Sequence, residues 1–295
     1  MKILLIGKNG QVGFELQRAL VPLGDVTALD RTGCDLRDAN SMRMAIQAYC
    51  PDVIVNAAAY TAVDMAESEP ELAQAINGHA LGVLGAEAVK IGAVVVHYST
   101  DYVFDGSKKT PYTEQDAEYP INIYGLSKLA GEQALQHSGA DYLIFRTTWV
   151  YGAYGNNFVK TMLHLAADRE ILKVVSDQVG APTSAALIAD VTAQILRQMQ
   201  TQGRNGFPFG LYNLTASGAV SWCDYARKVI AAGHAAGLDL RTNLDAVTSI
   251  ATRDYPTPAV RPLNSRLDTR NIQNTFNVSL SDWRDGLAHV LRYIL

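Results

Sequence analysis

Lys2-Ile3-Leu4-Leu5-Ile6-Gly7-Lys8-Asn9-Gly10-Gln11-Val12-Gly13 decides how this chain folds. Ile3–Ile6 is an apolar run with no polar face, as in a strand buried on both sides. Gly7, Gly10 and Gly13 follow at intervals of three, and Gln11–Leu20 then shows helical periodicity. A strand, a Gly-x-x-Gly-x-x-Gly turn and a helix together make a phosphate cradle. The glycines permit a tight turn and close backbone approach, and the helix N-terminus supplies free N–H groups and partial positive charge. A dinucleotide is the expected ligand, with Gly7, Gly10, Gln11, Val12 and Gly13 around its pyrophosphate.

The same grammar repeats downstream. Val26–Leu29, Val53–Val55, Val94–His97 and Leu143–Phe145 read as buried strands. Ala39–Tyr49, Glu71–Lys90 and Tyr124–His137 read as the helices between and after them. Such alternation predicts an α/β fold, a doubly wound parallel sheet covered by helices on both faces. Residues 1–150 are expected to form the dinucleotide-binding domain. Beyond them Gly, Asn and Pro become frequent, and helical patterns return at Phe158–Asp168, Ala185–Met199, Trp222–Ala236 and Ser281–Ile294, with Ser281 as N-cap of the last. A helix near 185–200 and a strand near 211–214 are expected to return to the sheet. Residues 151–183 and 215–295 are expected to form a smaller, irregular substrate lobe.

With 295 residues, 48% of them hydrophobic, the chain can bury a large core. A formal net charge of −4 argues against nucleic acid or an anionic membrane as partner. Cys34, Cys50 and Cys223 match neither a zinc nor a redox spacing and read as reduced thiols. The first apolar run is too short for a signal peptide or a span, so a cytoplasmic protein is expected.

Asp30 falls where a carboxylate binds the adenosine ribose, yet its neighbour Arg31 suits a 2′-phosphate, leaving NAD and NADP both open. Asp35 and Leu36 are placed to flank the adenine. Ala57-Ala58-Ala59-Tyr60-Thr61 follows the third strand with small side chains that admit a ligand. Strand four runs into Ser99-Thr100, and alternation lets only one of the two hydroxyls face the crevice. Thr100 is the better placed, and His97 reads as a packed strand residue. Tyr124 and Lys128 lie four apart at the start of a helix, on one face. A cation beside a phenol favours the phenolate and brings its pKa toward the working range.

The glycine loop, the strand-end hydroxyl and Tyr-x-x-x-Lys together resemble the extended short-chain dehydrogenase/reductase superfamily. Within it the chain resembles the dTDP-4-dehydrorhamnose reductase family over nearly its whole length. The resemblance is carried by the glycine loop, Val55–Asp64, Ser99–Gly106, Tyr124–Glu132, Phe145–Tyr151, Asp177–Thr183 and Arg261–Leu267. It implies hydride transfer from NADPH or NADH to C4 of a dTDP-4-keto-6-deoxy sugar. Tyr124 would be the proton donor, Lys128 would hold the nicotinamide ribose and depress the Tyr124 pKa, and Thr100 would tune the carbonyl. It further implies that Thr100, Asp101 and Trp149 contact the sugar, with Gln178, Thr183 and Arg266 at the dTDP portion. An Arg fork suits a diphosphate, although Arg266 could equally serve a structural ion pair.

Some family members are thought to dimerise around Mg²⁺ through a first-helix Glu and carboxylates of the C-terminal lobe. Glu15 and Asp190 match two ligands, but Leu291-Arg292-Tyr293 contains no acid. No metal is therefore expected, and the chain should be a monomer or weak homodimer. Dehydratases on this scaffold usually carry an Asp-Glu pair after the Thr. Here Asp101-Tyr102 lacks the second acid, favouring simple reduction over another nucleotide-sugar reaction or a non-catalytic binder.

Overall fold

The computed structural model describes all residues 1–295. Its elements run β1 (Lys2–Ile6), α1 (Gln11–Leu20), β2 (Asp25–Leu29), α2 (Ala39–Tyr49), β3 (Val53–Asn56), α3 (Val63–Ala66), α4 (Pro70–Ala73), a π-helical turn (Gln74–His79), α5 (Ala80–Ile91), β4 (Val94–Thr100), α6 (Ile123–Gln136) and β5 (Tyr142–Thr147). The second half contains β6 (Val150–Tyr151), α7 (Phe158–Asp168), β7 (Leu172–Val175), β8 (Val179–Gly180), β9 (Thr183–Ser184), α8 (Ala185–Gln202), β10 (Gly210–Asn213), β11 (Val220–Ser221), α9 (Trp222–Ala235), β12 (Val247–Ile250), α10 (Arg270–Phe276) and α11 (Trp283–Ile294).

Six strands form one sheet in the order β10-β5-β4-β3-β1-β2, every neighbouring pair parallel. The expected doubly wound sheet is present. Alternate residues of each strand serve opposite faces. Ile3 and Leu5 of β1 join Leu16 and Leu20 of α1 and Ile188 and Ile195 of α8 in one core. Leu4 and Ile6 join Ile46 of α2 and Leu81 and Leu84 of α5 in another. Both faces being buried explains why the strands read as unbroken apolar runs. Strand order reverses direction of growth between β1 and β3, and ligand crevices open at the carboxyl ends of strands at such a point.

A third core joins α7, α9 and α11 with β7 and β12. The parallel β7–β12 pair is the longest ladder outside the main sheet. Two expectations require correction. The helix expected over Glu71–Lys90 is interrupted by the π-turn, which wraps Asn77 against α6. The N-cap of α11 is Asp282, whose carboxylate accepts from Arg284 N–H, while the Ser281 carbonyl accepts from Ser217 N–H. No helix is long and apolar enough to cross a membrane.

Candidate active site

Gly7 has φ +92°, and its N–H donates to the Leu29 carbonyl at 2.9 Å, so the turn is built onto the end of β2. A Cβ on Gly7 would lie 2.6 Å from Ala58 N, and one on Gly13 would lie 2.0 Å from the Gly7 carbonyl. Both are therefore glycine by necessity. Gly10 caps α1 with ordinary extended backbone and meets nothing closer than 3.5 Å, so there the absent Cβ leaves open room at the helix N-terminus. That first turn carries no acidic residue. The cradle fits a dinucleotide diphosphate.

Asp30 follows β2 directly. Thr32 hydrogen bonds, and secondarily Lys8 at 3.4 Å, lower its carboxyl to about 2, so it is ionised and can accept from ribose hydroxyls. Arg31 is two-thirds exposed and 3.6 Å from Asp35. The Asp35 carboxylate is chelated by Arg37, and its backbone N–H bonds Ser41. Leu36 is buried. Beyond β3, Ala57, Ala58 and Ala59 are half-buried and Thr61 exposed. Tyr60 is pinned at both ends: Asn77 Oδ1 accepts from its N–H at 2.8 Å, and its hydroxyl donates to Glu69 at 2.7 Å.

β4 is longer than expected, continuing through Thr100 in register with Thr147 of β5. The Thr100 hydroxyl lies near enough to Tyr124 to lower its pKa, whereas Ser99 Oγ is buried without a partner. Thr100 is thus the hydroxyl that meets the tyrosine. α6 begins at an N-cap, Asn122, whose side chain accepts from Gly125 N–H. A Cβ on Gly125 would sit 2.1 Å from the Tyr102 carbonyl, so glycine lets this helix close on the β4 extension. Tyr102 packs edge-on against Tyr124 at 5.7 Å.

Lys128 departs from expectation. Its Nζ donates to the Tyr98 carbonyl at 2.5 Å and meets His97 Nε2 at 3.1 Å, so both contacts lie on β4. Burial lowers its pKa to about 7, against the opposing charge of Glu132. Burial raises Tyr124 to about 12, Thr100 only partly offsetting it. Tyr124 and Lys128 lie about one turn apart on α6, but burial, and not the lysine, is the leading influence on the phenol.

Asp101 is 3% exposed. Burial raises its pKa to about 6, opposed by the nearby hydroxyls of Ser265, Thr148 and Thr100, of which only Thr100 comes within bonding geometry. Thr100 makes the 3.2 Å bond to Oδ1, leaving Oδ2 unpaired. Trp149 holds φ +48°, uncommon for a bulky residue. Its ring stacks on Trp222 with centroids 3.5 Å apart and passes close to Gly180, where a Cβ would lie 2.6 Å from it. Gln178 donates to Thr252 Oγ1. The Arg266 guanidinium bonds the Asn264 side chain and the Lys109 carbonyl and has no carboxylate partner, so it is not an ion-pair residue. Thr183 requires correction. It is fully buried, and its hydroxyl donates to the Ala181 carbonyl and accepts from Ala216 N–H, leaving nothing for a nucleotide. Glu15 and Asp190 meet across the Arg18 guanidinium, at 3.6 and 2.8 Å.

Two supporting groups escaped the sequence reading. Asn77 bridges the Tyr60 backbone to Ser127 Oγ, which donates to the Tyr124 carbonyl, linking the loop after β3 to the tyrosine helix. Its one signal is an amide amid apolar helical residues. Arg146, with no exposure, pairs with Glu132 at 2.6 Å and Glu118 at 2.7 Å. An Arg inside a strand run was the available sign.

The family model for the RmlD substrate binding domain matches residues 1–295. A curated relative from Shigella flexneri, named dTDP-4-dehydrorhamnose reductase, is 49% identical over 295 residues, covering 99% of this chain and 97% of its own. The crystal structure of a dTDP-4-dehydrorhamnose reductase from Clostridium acetobutylicum superposes with TM-score 0.90 at 36% identity, covering 100% of this chain and 99% of that one. One from Bacillus anthracis, in complex with NADP, gives 0.85 at 33% identity, covering 99% and 98%. With the glycine cradle after β1, Thr100 at the end of β4 and Tyr124 and Lys128 on α6, the chain belongs to the RmlD substrate-binding-domain family, that of the dTDP-4-dehydrorhamnose reductases.

Proposed function

We propose that this oxidoreductase reduces dTDP-4-dehydro-β-L-rhamnose (dTDP-6-deoxy-L-lyxo-4-hexulose) to dTDP-L-rhamnose, using NADPH or NADH. The observation that carries this reading is the Thr100–Tyr124 hydroxyl pair at the carboxyl end of the sheet, beside the glycine cradle.

The bound nicotinamide cofactor supplies the hydride. The chain's residues do the rest. Gln11, Val12 and Gly13 offer the diphosphate the free N–H groups of the first turn of α1, Gly7 and Gly10 give it room, and Asp30 accepts from the adenosine ribose. Arg31 is exposed enough to reach a 2′-phosphate. Leu36 and Asp35 border the adenine, and Ala57–Thr61 the crevice wall. Tyr124 is protonated at neutral pH, as a proton donor to the developing C4 alkoxide must be. Thr100 turns its one proton from Asp101 Oδ1 to the substrate carbonyl. Lys128 serves the nicotinamide ribose. The unpaired Asp101 Oδ2 accepts from a sugar hydroxyl, and Trp149 offers an apolar surface to the ring. Arg266 and Gln178 serve the dTDP portion.

The test is NADPH and NADH oxidation with the dTDP-4-keto sugar beside its UDP and GDP counterparts. Turnover is expected with the dTDP compound. Tyr124→Phe should bind cofactor as the unaltered protein does and lose roughly 10²–10⁴-fold in kcat. Near-normal kcat in that variant would remove Tyr124 from the chemistry.

A further inference from the structure

Lys128, His97 and Asn56 are 1%, 1% and 0% exposed, and they form one chain of contacts across β4 and β3. Lys128 Nζ lies 3.1 Å from His97 Nε2, and His97 Nδ1 lies 3.3 Å from Asn56 Nδ2. Asn56 Oδ1 accepts from Ala58 N–H at 3.2 Å, at the loop that lines the crevice.

Donor order follows from that last bond. A backbone N–H can only donate, so the Asn56 atom facing Ala58 is the oxygen, and the amide nitrogen faces His97. That nitrogen can only donate, so His97 Nδ1 accepts. Burial holds the His97 pKa well below 6.5, making the ring neutral with one N–H. The proton is then on Nε2, aimed at Lys128 Nζ. An ammonium has no lone pair to receive it. A neutral amine has one, and can still donate to the Tyr98 carbonyl.

We propose that His97 is a positioning residue acting through Lys128: Asn56 fixes its Nε2–H tautomer, the imidazole holds Lys128 as a neutral amine on β4, and binding of the nicotinamide cofactor draws a proton from solvent onto that amine. The proposal rests on the reductase reading, because Lys128 is useful to Tyr124 only as a cation. A solvent proton adds to the Nζ lone pair, the His97 Nε2–H bond to that lone pair is lost, and the crevice gains one positive charge opposite the dinucleotide's negative ones. The charged and titratable groups facing Lys128 are His97 from β4 and Glu132 one turn further along α6, itself neutralised by Arg146 from β5. Burial is the leading influence on Lys128, and the value near 7 lets it change charge near neutrality.

Two measurements test this. The ¹⁵N spectrum of histidine-labelled protein, with His97 identified by its loss in His97→Gln, should show Nε2 protonated and Nδ1 bare; the opposite tautomer overturns the proposal. Calorimetric titration with NADP⁺ in buffers of different ionisation enthalpy, at about pH 8, one unit above the Lys128 value, should show uptake approaching one proton. Uptake should vanish in Lys128→Met and fall in His97→Leu, which removes the donor. It should return in His97→Gln, whose carboxamide donates again. Asn56→Asp, which turns an acceptor toward Nδ1, should lose uptake from the other end of the chain, even where His97→Leu fails to fold. Undiminished uptake in Lys128→Met or Asn56→Asp overturns the proposal. NADP⁺ binding with normal turnover but no Lys128-dependent uptake sinks this inference alone, whereas failure to bind any nicotinamide cofactor sinks the reductase reading with it.

Discussion

At the scale of single residues, the molecule turns on where Lys128 is buried. Its pKa is lowered from 10.5 to about 7, so between those values the unfolded chain binds a proton that the folded one does not. Stability therefore rises with pH across that window and is flat, for this group, below it. Lys128→Met carries no such group. In chemical denaturation at pH 7, the Met variant should be the more stable, because it avoids the cost of desolvating an ionisable amine. The unaltered protein should close that gap as pH rises toward about 9, gaining up to about 1.4 kcal/mol per unit from this group. A gap independent of pH would mean that Lys128 keeps its ordinary pKa. The spacing of Tyr124 and Lys128 in the sequence made the pair legible. Their charge states were not, because those depend on desolvation by β4 and α6, which no local spacing encodes.

Elements were legible where periodicity was clean and misread where packing overrode it. The stretch Glu71–Lys90 reads as one helix because its apolar spacing never breaks. The π-turn arises because Asn77 must reach Tyr60 and Ser127 together. The same contact fixes a glycine in α6: a Cβ on Gly131 would lie 2.0 Å from the Asn77 carbonyl, a backbone atom that cannot yield cheaply. Gly82, in the interior of α5, would meet only the Ala134 Cβ at 3.6 Å. One substitution should thus act with opposite sign at two helical sites. Gly82→Ala should stabilise by up to about 1 kcal/mol through helix propensity. Gly131→Ala should destabilise by about 1–3 kcal/mol through overpacking and, by shifting α6 against the π-turn, lower kcat as well. Urea midpoints of the two variants decide it. Destabilisation by both would show that propensity gains are swamped everywhere in this helix layer. Stabilisation by both would show that α6 and the π-turn are not in rigid contact.

Across the whole molecule, the parallel sheet follows from its five apolar runs, and much of the crevice from motifs at strand ends. The C-terminal half was less legible because its ladders are short and its residues are placed by long-range partners. Thr183 sits in a motif beside Gly180 and Trp149, yet its hydroxyl ties Ala181 to Ala216, a contact invisible without the fold. The joint between the halves is a second case. Arg261 makes two 2.8 Å bonds to the Asp64 carboxylate in α3, nearly two hundred residues away, and the neighbouring Val260 carbonyl accepts from Asn122, the N-cap of α6. This clamp sets the C-terminal segment against the start of the helix that carries Tyr124. Arg261 is mostly buried, while Asp64 is partly open to solvent. A coupling energy of about 1–2 kcal/mol is therefore expected from a double-mutant cycle of Asp64→Ala and Arg261→Ala at neutral pH. The guanidinium, with a hydrogen bond from Ala259 N–H, holds the Asp64 carboxyl below its ordinary 3.8. The unfolded chain thus binds its proton first as pH falls, so the coupling is complete above the ordinary carboxylate range and disappears as the pH drops through the folded value. Arg261→Ala should also raise KM for the nucleotide sugar more than it lowers kcat, because it loosens the lobe that meets the substrate and leaves Tyr124 and Thr100 in place. A coupling that persists unchanged in acid, or a loss confined to kcat, would mean that the clamp does not hold the two halves in register.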